Sequence, residues 1–134
     1  MRRTVVSSLL LLAACLTTPP ARAGVNIWTP IGPDGGRIET LEVSPRNGQV
    51  VFAATRGGVY KSTNGGLTWS WSGRGLQGNG VNDLAVAPSN PAVVYAATPY
   101  GVYISRNGGE TWRAPERWIL GNPLSVAVDP RNAR

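Results

Sequence analysis

The 134-residue chain contains no histidine, one cysteine and one methionine. The missing imidazole excludes histidine general-base catalysis and histidine-bearing zinc sites. The lone cysteine, Cys15, excludes a disulfide framework. Charged residues make up only 15% of the chain, and Lys61 is its one lysine. The formal net charge of +6 would suit a polyanion. Arg2, Arg3 and Arg22, however, fall in an N-terminal leader, and without them ten basic residues face seven acidic ones, spread through the chain rather than clustered. Nucleic acid is therefore not an expected partner, and neither a metal nor a cofactor is expected.

No apolar run reaches the roughly twenty residues that a membrane-spanning helix needs. The longest, Val5 to Leu16, follows Arg2-Arg3 and precedes Pro19-Pro20 and then Ala21-Arg22-Ala23. This is the layout of a secretory signal over residues 1–23, which predicts a secreted or periplasmic protein. The segment Leu12-Ala13-Ala14-Cys15 also resembles a bacterial lipoprotein box. Cleavage after Ala23 releases the chain, whereas cleavage before Cys15 leaves a lipid anchor on that cysteine. The mass of the mature N-terminus separates the two.

What the chain has in abundance is repetition. Ser62-Thr63-Asn64-Gly65-Gly66-Leu67-Thr68-Trp69 returns 43 positions later as Ser105-Arg106-Asn107-Gly108-Gly109-Glu110-Thr111-Trp112. Aligning Ile38–Trp69 with Val81–Trp112 pairs 32 positions, of which 18 are identical. A third copy begins at Ser125-Val126-Ala127-Val128-Asp129-Pro130-Arg131-Asn132, and the chain stops in mid-unit. A fixed period of this length with several short strands per unit predicts an all-β fold in which no unit buries its own apolar faces.

Each unit reads as four antiparallel strands. Alternation predicts a first strand over 38–43 and 81–86 with one face buried. The continuous apolar runs 50–54 and 93–97 predict a second strand covered on both faces. Short third strands follow at 59–61 and 102–104. Pro45-Arg46-Asn47-Gly48, Pro88-Ser89-Asn90-Pro91, Arg56-Gly57-Gly58 and Pro99-Tyr100-Gly101 supply the turns between them.

The octapeptide carries a family resemblance. Ser62, Asn64, Gly66, Thr68 and Trp69, with Ser105, Asn107, Gly109, Thr111 and Trp112, resemble the Asp-box or BNR repeat, whose pattern is Ser-x-Asp-x-Gly-x-Thr-Trp. The resemblance implies a β-propeller of the sialidase, sortilin and xyloglucanase type, with the box closing the hairpin between a blade's third and fourth strands. It makes these ten residues structural, their Trp rings lying beneath the hairpins. Both copies replace the family's Asp by Asn, which keeps the acceptor oxygen and tolerates left-handed geometry.

The expected organisation is then a signal over 1–23, a closing strand and linker over 24–37, a first blade over 38–80, a second over 81–123, and the start of a third over 124–134. Known propellers need at least four blades, so this is an incomplete ring, read as the N-terminal fragment of a larger protein. Trp28 precedes Ile38 much as Trp69 precedes Val81, like a fourth strand without its blade.

In such propellers, ligands usually meet the face formed by the second-to-third strand loops and the inter-blade links. Arg56, Trp71, Arg74, Tyr100 and Trp118 lie there and are the candidate binding residues. Aromatic rings stack on sugars and arginine pairs with carboxylates, although core packing is the expected role of Trp71. No carboxylate pair for glycoside hydrolysis is defensible: Arg56 and Pro99 occupy the bend where xyloglucanase-type enzymes can place an aspartate, and Asp83 reads as a solvated strand residue. Two functions stay open. One is a noncatalytic binding or assembly module for a protein or carbohydrate ligand, partnered by the remaining blades. The other is the N-terminal part of a glycoside hydrolase whose catalytic acids lie in other blades.

Overall fold

The computed structural model of the chain describes residues 32–34, 36–76, 80–114 and 121–131. The leader with Cys15, the strand expected around Trp28, and Trp118 lie outside the described residues. Two antiparallel sheets form. The first runs β1 (Ile38–Val43), β2 (Val51–Thr55), β3 (Gly58–Ser62) and β4 (Ser70–Trp71), hydrogen-bonded in that order. The second runs β5 (Asp83–Val86), β6 (Val94–Thr98) and β7 (Gly101–Ser105), and an isolated bridge from Ile104 to Arg113 stands where the first sheet has β4.

The turns repeat bond for bond. Asn47 Oδ1 accepts the Gln49 amide at 3.0 Å, and Asn90 Oδ1 accepts the Ala92 amide at 3.2 Å, an Asx turn that reverses the chain before the second strand. At the next hairpin the buried Thr55 hydroxyl donates to Gly58 O and accepts from Gly57 N, while Thr98 bonds Gly101 O and Tyr100 N in the same way. Gly58 and Gly101 sit at φ 118° and 128°, a backbone region closed to most side chains. Threonine and glycine are thus needed as a pair.

Cross-strand register decides which side chains share a face. Leu41, Ala53, Tyr60 and Trp71 form one row across the first sheet, and Leu84, Ala96 and Tyr103 form the same row across the second. The opposite face of the first sheet carries Phe52, Ala54 and Val59. These pack with Leu84, Val86, Val94, Ala96, Tyr103 and Trp112 into one core, joined by Leu76 and Val81 from the link. The core therefore lies between the sheets rather than within either unit, as the repeat required.

The expectation of a buried face holds for β5 and fails for β1. Leu84 is 3% exposed, whereas its repeat mate Leu41 is 55% exposed and Val43 is also exposed. The residues are equivalent; the neighbours are not. β5 lies against β1 and β2, while among the described residues no sheet covers the Leu41 side of β1. Polar contacts fasten the stack: the Val86 amide donates to Glu42 Oε1 at 3.3 Å, Arg46 Nη2 donates to Ser89 O at 2.7 Å, and Lys61 Nζ donates to Gly108 O at 2.8 Å.

Residues 124–131, the described part of the segment expected to open a third blade, form no strand. They and the preceding Pro123 are tied to the second sheet through Asp83 and Asn82. Asp83 is accordingly not a merely solvated strand residue. One carboxylate oxygen accepts the Leu84 amide at 2.9 Å, and the other accepts the Ser125 hydroxyl and the Val126 amide at 2.8 and 2.9 Å.

Candidate functional site

The two octapeptides are built as matched polar knots. Ser62 Oγ donates to Asn64 Oδ1 at 2.9 Å and accepts the Gly66 amide at 2.8 Å. Asn64 Oδ1 also accepts the Thr68 amide at 2.9 Å, and Asn64 Nδ2 donates to Thr68 Oγ1 at 2.8 Å. Ser105, Asn107, Gly109 and Thr111 reproduce each bond within 0.1 Å. Gly65 and Gly66 take φ 69° and 91°, and Gly108 and Gly109 take 66° and 87°. The polar atoms of these Ser, Asn and Thr side chains are spent inside the turn, so these residues hold a hairpin closed.

The amide nitrogen of the asparagine does work that a carboxylate would do differently, because it donates to the threonine hydroxyl. Replacing Asn107 by Asp preserves the acceptor and requires only that the Thr111 hydroxyl turn to donate, so Asn107→Asp should change unfolding free energy by less than about 1 kcal/mol. Asn107→Ala leaves the Thr111 amide and the Ser105 hydroxyl without their acceptor and should cost about 1–2 kcal/mol. Urea titrations of the two variants check the difference.

The tryptophans that end the octapeptides differ. Trp112 is buried, and its Nε1 donates to Ser72 O of the first unit at 2.7 Å. Trp69 is half-buried, and its Nε1 has no hydrogen-bond partner among the described residues.

Of the candidate binding residues, Trp71 and Arg74 come together. They line an open groove of about 470 Å³ with Lys61, Ser70, Glu110 and Thr111. Arg56 and Tyr100 do not join them; each sits on its own strand hairpin. Arg56 Nε lies 3.5 Å from Glu39, which also meets Arg37 at 3.5 Å, and Tyr100 is exposed. The expected core role of Trp71 is corrected: the residue is 57% exposed, because it ends the row on the uncovered face. Its indole nevertheless lies close over Gly58 and Gly73, where a Cβ would fall 3.4 and 2.8 Å from ring atoms. Those glycines fix the ring without covering it.

Lys61, Glu110 and Thr111 were not among the expected binding residues. The signal that could have found two of them is divergence between copies. Lys61 faces Ile104 in the alignment, Glu110 faces Leu67, and Trp71 faces Ala114. Where the scaffold is the same, positions that change are the ones free to take a local role, and several of them meet in this groove. With a cation, an anion and an aromatic ring around one opening, the groove suits a polar ligand bearing an apolar face. Among the described residues no cluster of three or more acidic, cysteine or histidine side chains could hold a metal ion.

No family model matches the chain, and no curated protein matches it. Solved structures do. A GH74 enzyme of Niastella koreensis matches with 29% identity and a TM-score of 0.58, over 69% of this chain and 16% of that one. An ancestral GH74 enzyme matches with 23% identity and a TM-score of 0.51, over 59% of this chain and 12% of that one. The chain thus corresponds to a small part of each enzyme. Antiparallel sheets stacked face to face at a fixed period, together with these neighbours, define an all-β chain of β-propeller blades.

Proposed function

We propose that the chain contributes blades of the Asp-box type to an extracytoplasmic propeller that works as a noncatalytic binding or assembly module. Residues 1–23 serve as its export signal, with an acylated Cys15 as the alternative mode of attachment. The observation that carries this reading is where the carboxylates go. Glu39 meets Arg37 and Arg56, Glu42 receives the Val86 amide, Asp83 ties down residues 125–126, and Asp129 caps the Arg131 amide. A hydrolase of this class needs two carboxyl groups facing one sugar across a gap; these four are spent on the scaffold, and the Trp71 groove is lined by one carboxyl group, Glu110.

A second reading is favoured by the GH74 neighbours: the chain is the N-terminal part of a glycoside hydrolase whose acids lie in other blades. Xyloglucan oligosaccharide separates the two. The module should bind it at the Trp71 groove without releasing reducing ends, and Trp71→Ala should weaken binding about tenfold. Reducing ends released by this chain would overturn the module. Release only when further blades are joined to it would establish the second reading.

A further inference from the structure

Four Asn-Gly pairs occur in the chain: Asn47-Gly48, Asn64-Gly65, Asn79-Gly80 and Asn107-Gly108. The dipeptide carries its own chemistry, because a glycine amide nitrogen, shielded by no side chain of its own, can attack the side-chain carbonyl of the asparagine before it. The fold decides which pair reacts. Asn79 lies outside the described residues. In both octapeptides the nucleophile is taken: Gly65 N donates to Gln49 O at 2.9 Å, and Gly108 N donates to Ala92 O at 2.8 Å. The leaving nitrogens are held as well, since Asn64 Nδ2 and Asn107 Nδ2 donate to the Thr68 and Thr111 hydroxyls. Reaction there requires the knot to open first.

Asn47-Gly48 differs at each point. Both residues are exposed, and neither Gly48 N nor Asn47 Nδ2 has a hydrogen-bond partner among the described residues. No atom lies within 4 Å of where a Gly48 Cβ would stand, so nothing blocks the approach. Asn47 Oδ1 accepts the Gln49 amide at 3.0 Å, which places a donor where negative charge gathers as the carbonyl is attacked. The repeat mate of this pair is Asn90-Pro91, whose proline has no N–H to give up.

We propose that Asn47-Gly48 is a site of spontaneous deamidation in the folded protein. Gly48 N loses its proton to solvent and bonds to Asn47 Cγ; the Cγ–Nδ2 bond breaks, and Nδ2 takes up a proton and leaves as ammonia. Water then opens the resulting imide at either carbonyl, giving aspartate or isoaspartate at position 47. The sum consumes water and releases ammonia, with no change of oxidation state. Isoaspartate adds a methylene to the main chain inside a turn held by Asn47 N to Ser44 O at 3.2 Å and Val50 N to Asn47 O at 2.9 Å. The turn of the first repeat thus ages by a route closed to the same turn of the second.

Peptide mapping by mass spectrometry of the full chain, incubated at mildly alkaline pH, tests this. In the folded protein Asn47 should convert at least about tenfold faster than Asn64 or Asn107, and in urea the three rates should converge. Gly48→Pro, which copies the turn of the second repeat, should silence position 47 and leave Asn64 and Asn107 slow. If that variant converts faster at Asn64 and Asn107, it has lost its fold, and the rates of the unsubstituted chain with and without urea decide. Asn64 or Asn107 converting as fast as Asn47 in the folded chain would overturn the proposal. Asn47 remaining as slow as the other two would overturn it equally.

Discussion

Gly75→Ala should cost about 3–5 kcal/mol, a large share of the stability of a small domain. Two effects add. At φ 98° any L-residue is strained, and the new methyl would collide with the Trp112 carbonyl. Relief requires the link to lift, which breaks the bonds from Trp112 N to Arg74 O and from Trp112 Nε1 to Ser72 O. Gly36→Ala is the control. Gly36 has φ 81° but nothing within 4 Å of its would-be Cβ, so only the backbone term remains, about 1 kcal/mol. Equilibrium urea unfolding followed by tryptophan fluorescence measures both, and equal losses would show that the link does not press on the second unit.

Phe52→Ala should cost about 3–5 kcal/mol. Phe52 is 1% exposed and belongs to the first repeat, yet it lies in the core shared with the second. Its ring edge fills the space beside Gly109, where a Cβ would come within 2.7 Å. Lys61 Nζ lies 5.7 Å from the ring centroid and reaches past it to Gly108 O. Truncation opens a cavity between sheets that polar contacts on either side hold at fixed spacing, so collapse recovers little of the loss. The unfolding midpoint should fall with an unchanged denaturant slope. A loss below about 1 kcal/mol would place Phe52 outside the inter-sheet core.

Much of this architecture was legible in the residues. The first strand was expected over 38–43 and is found there, and the second and third strands of both units fall within one residue of expectation. The ladder takes in Thr55 and Thr98 because each pairs with the glycine that closes its hairpin, a partnership that hydropathy does not record. β5 starts two residues later than expected, at Asp83, whose carboxylate turns to the 125–126 backbone.

What the residues could not tell was which copy would be covered. Leu41 and Leu84 are the same letter in the same local pattern, and their burial differs only because a sheet stands beside one of them. Trp71 was misplaced for the same reason: facing the core depends on a neighbouring blade, not on strand alternation. The groove was half legible. Trp71 and Arg74 were both candidates on the presumed ligand face, but Glu110 arrives from a different repeat, and no local pattern predicts that approach.

Equivalent faces of successive repeats are buried only where the next sheet stacks on them. Comparing Leu84→Ala with Leu41→Ala tests it most directly, because the two substitutions delete the same atoms from the same repeat position. Urea unfolding should show a loss of about 2–5 kcal/mol at Leu84 and less than about 1 kcal/mol at Leu41. Equal losses, or a greater loss at Leu41, would contradict the stacked arrangement of the two sheets.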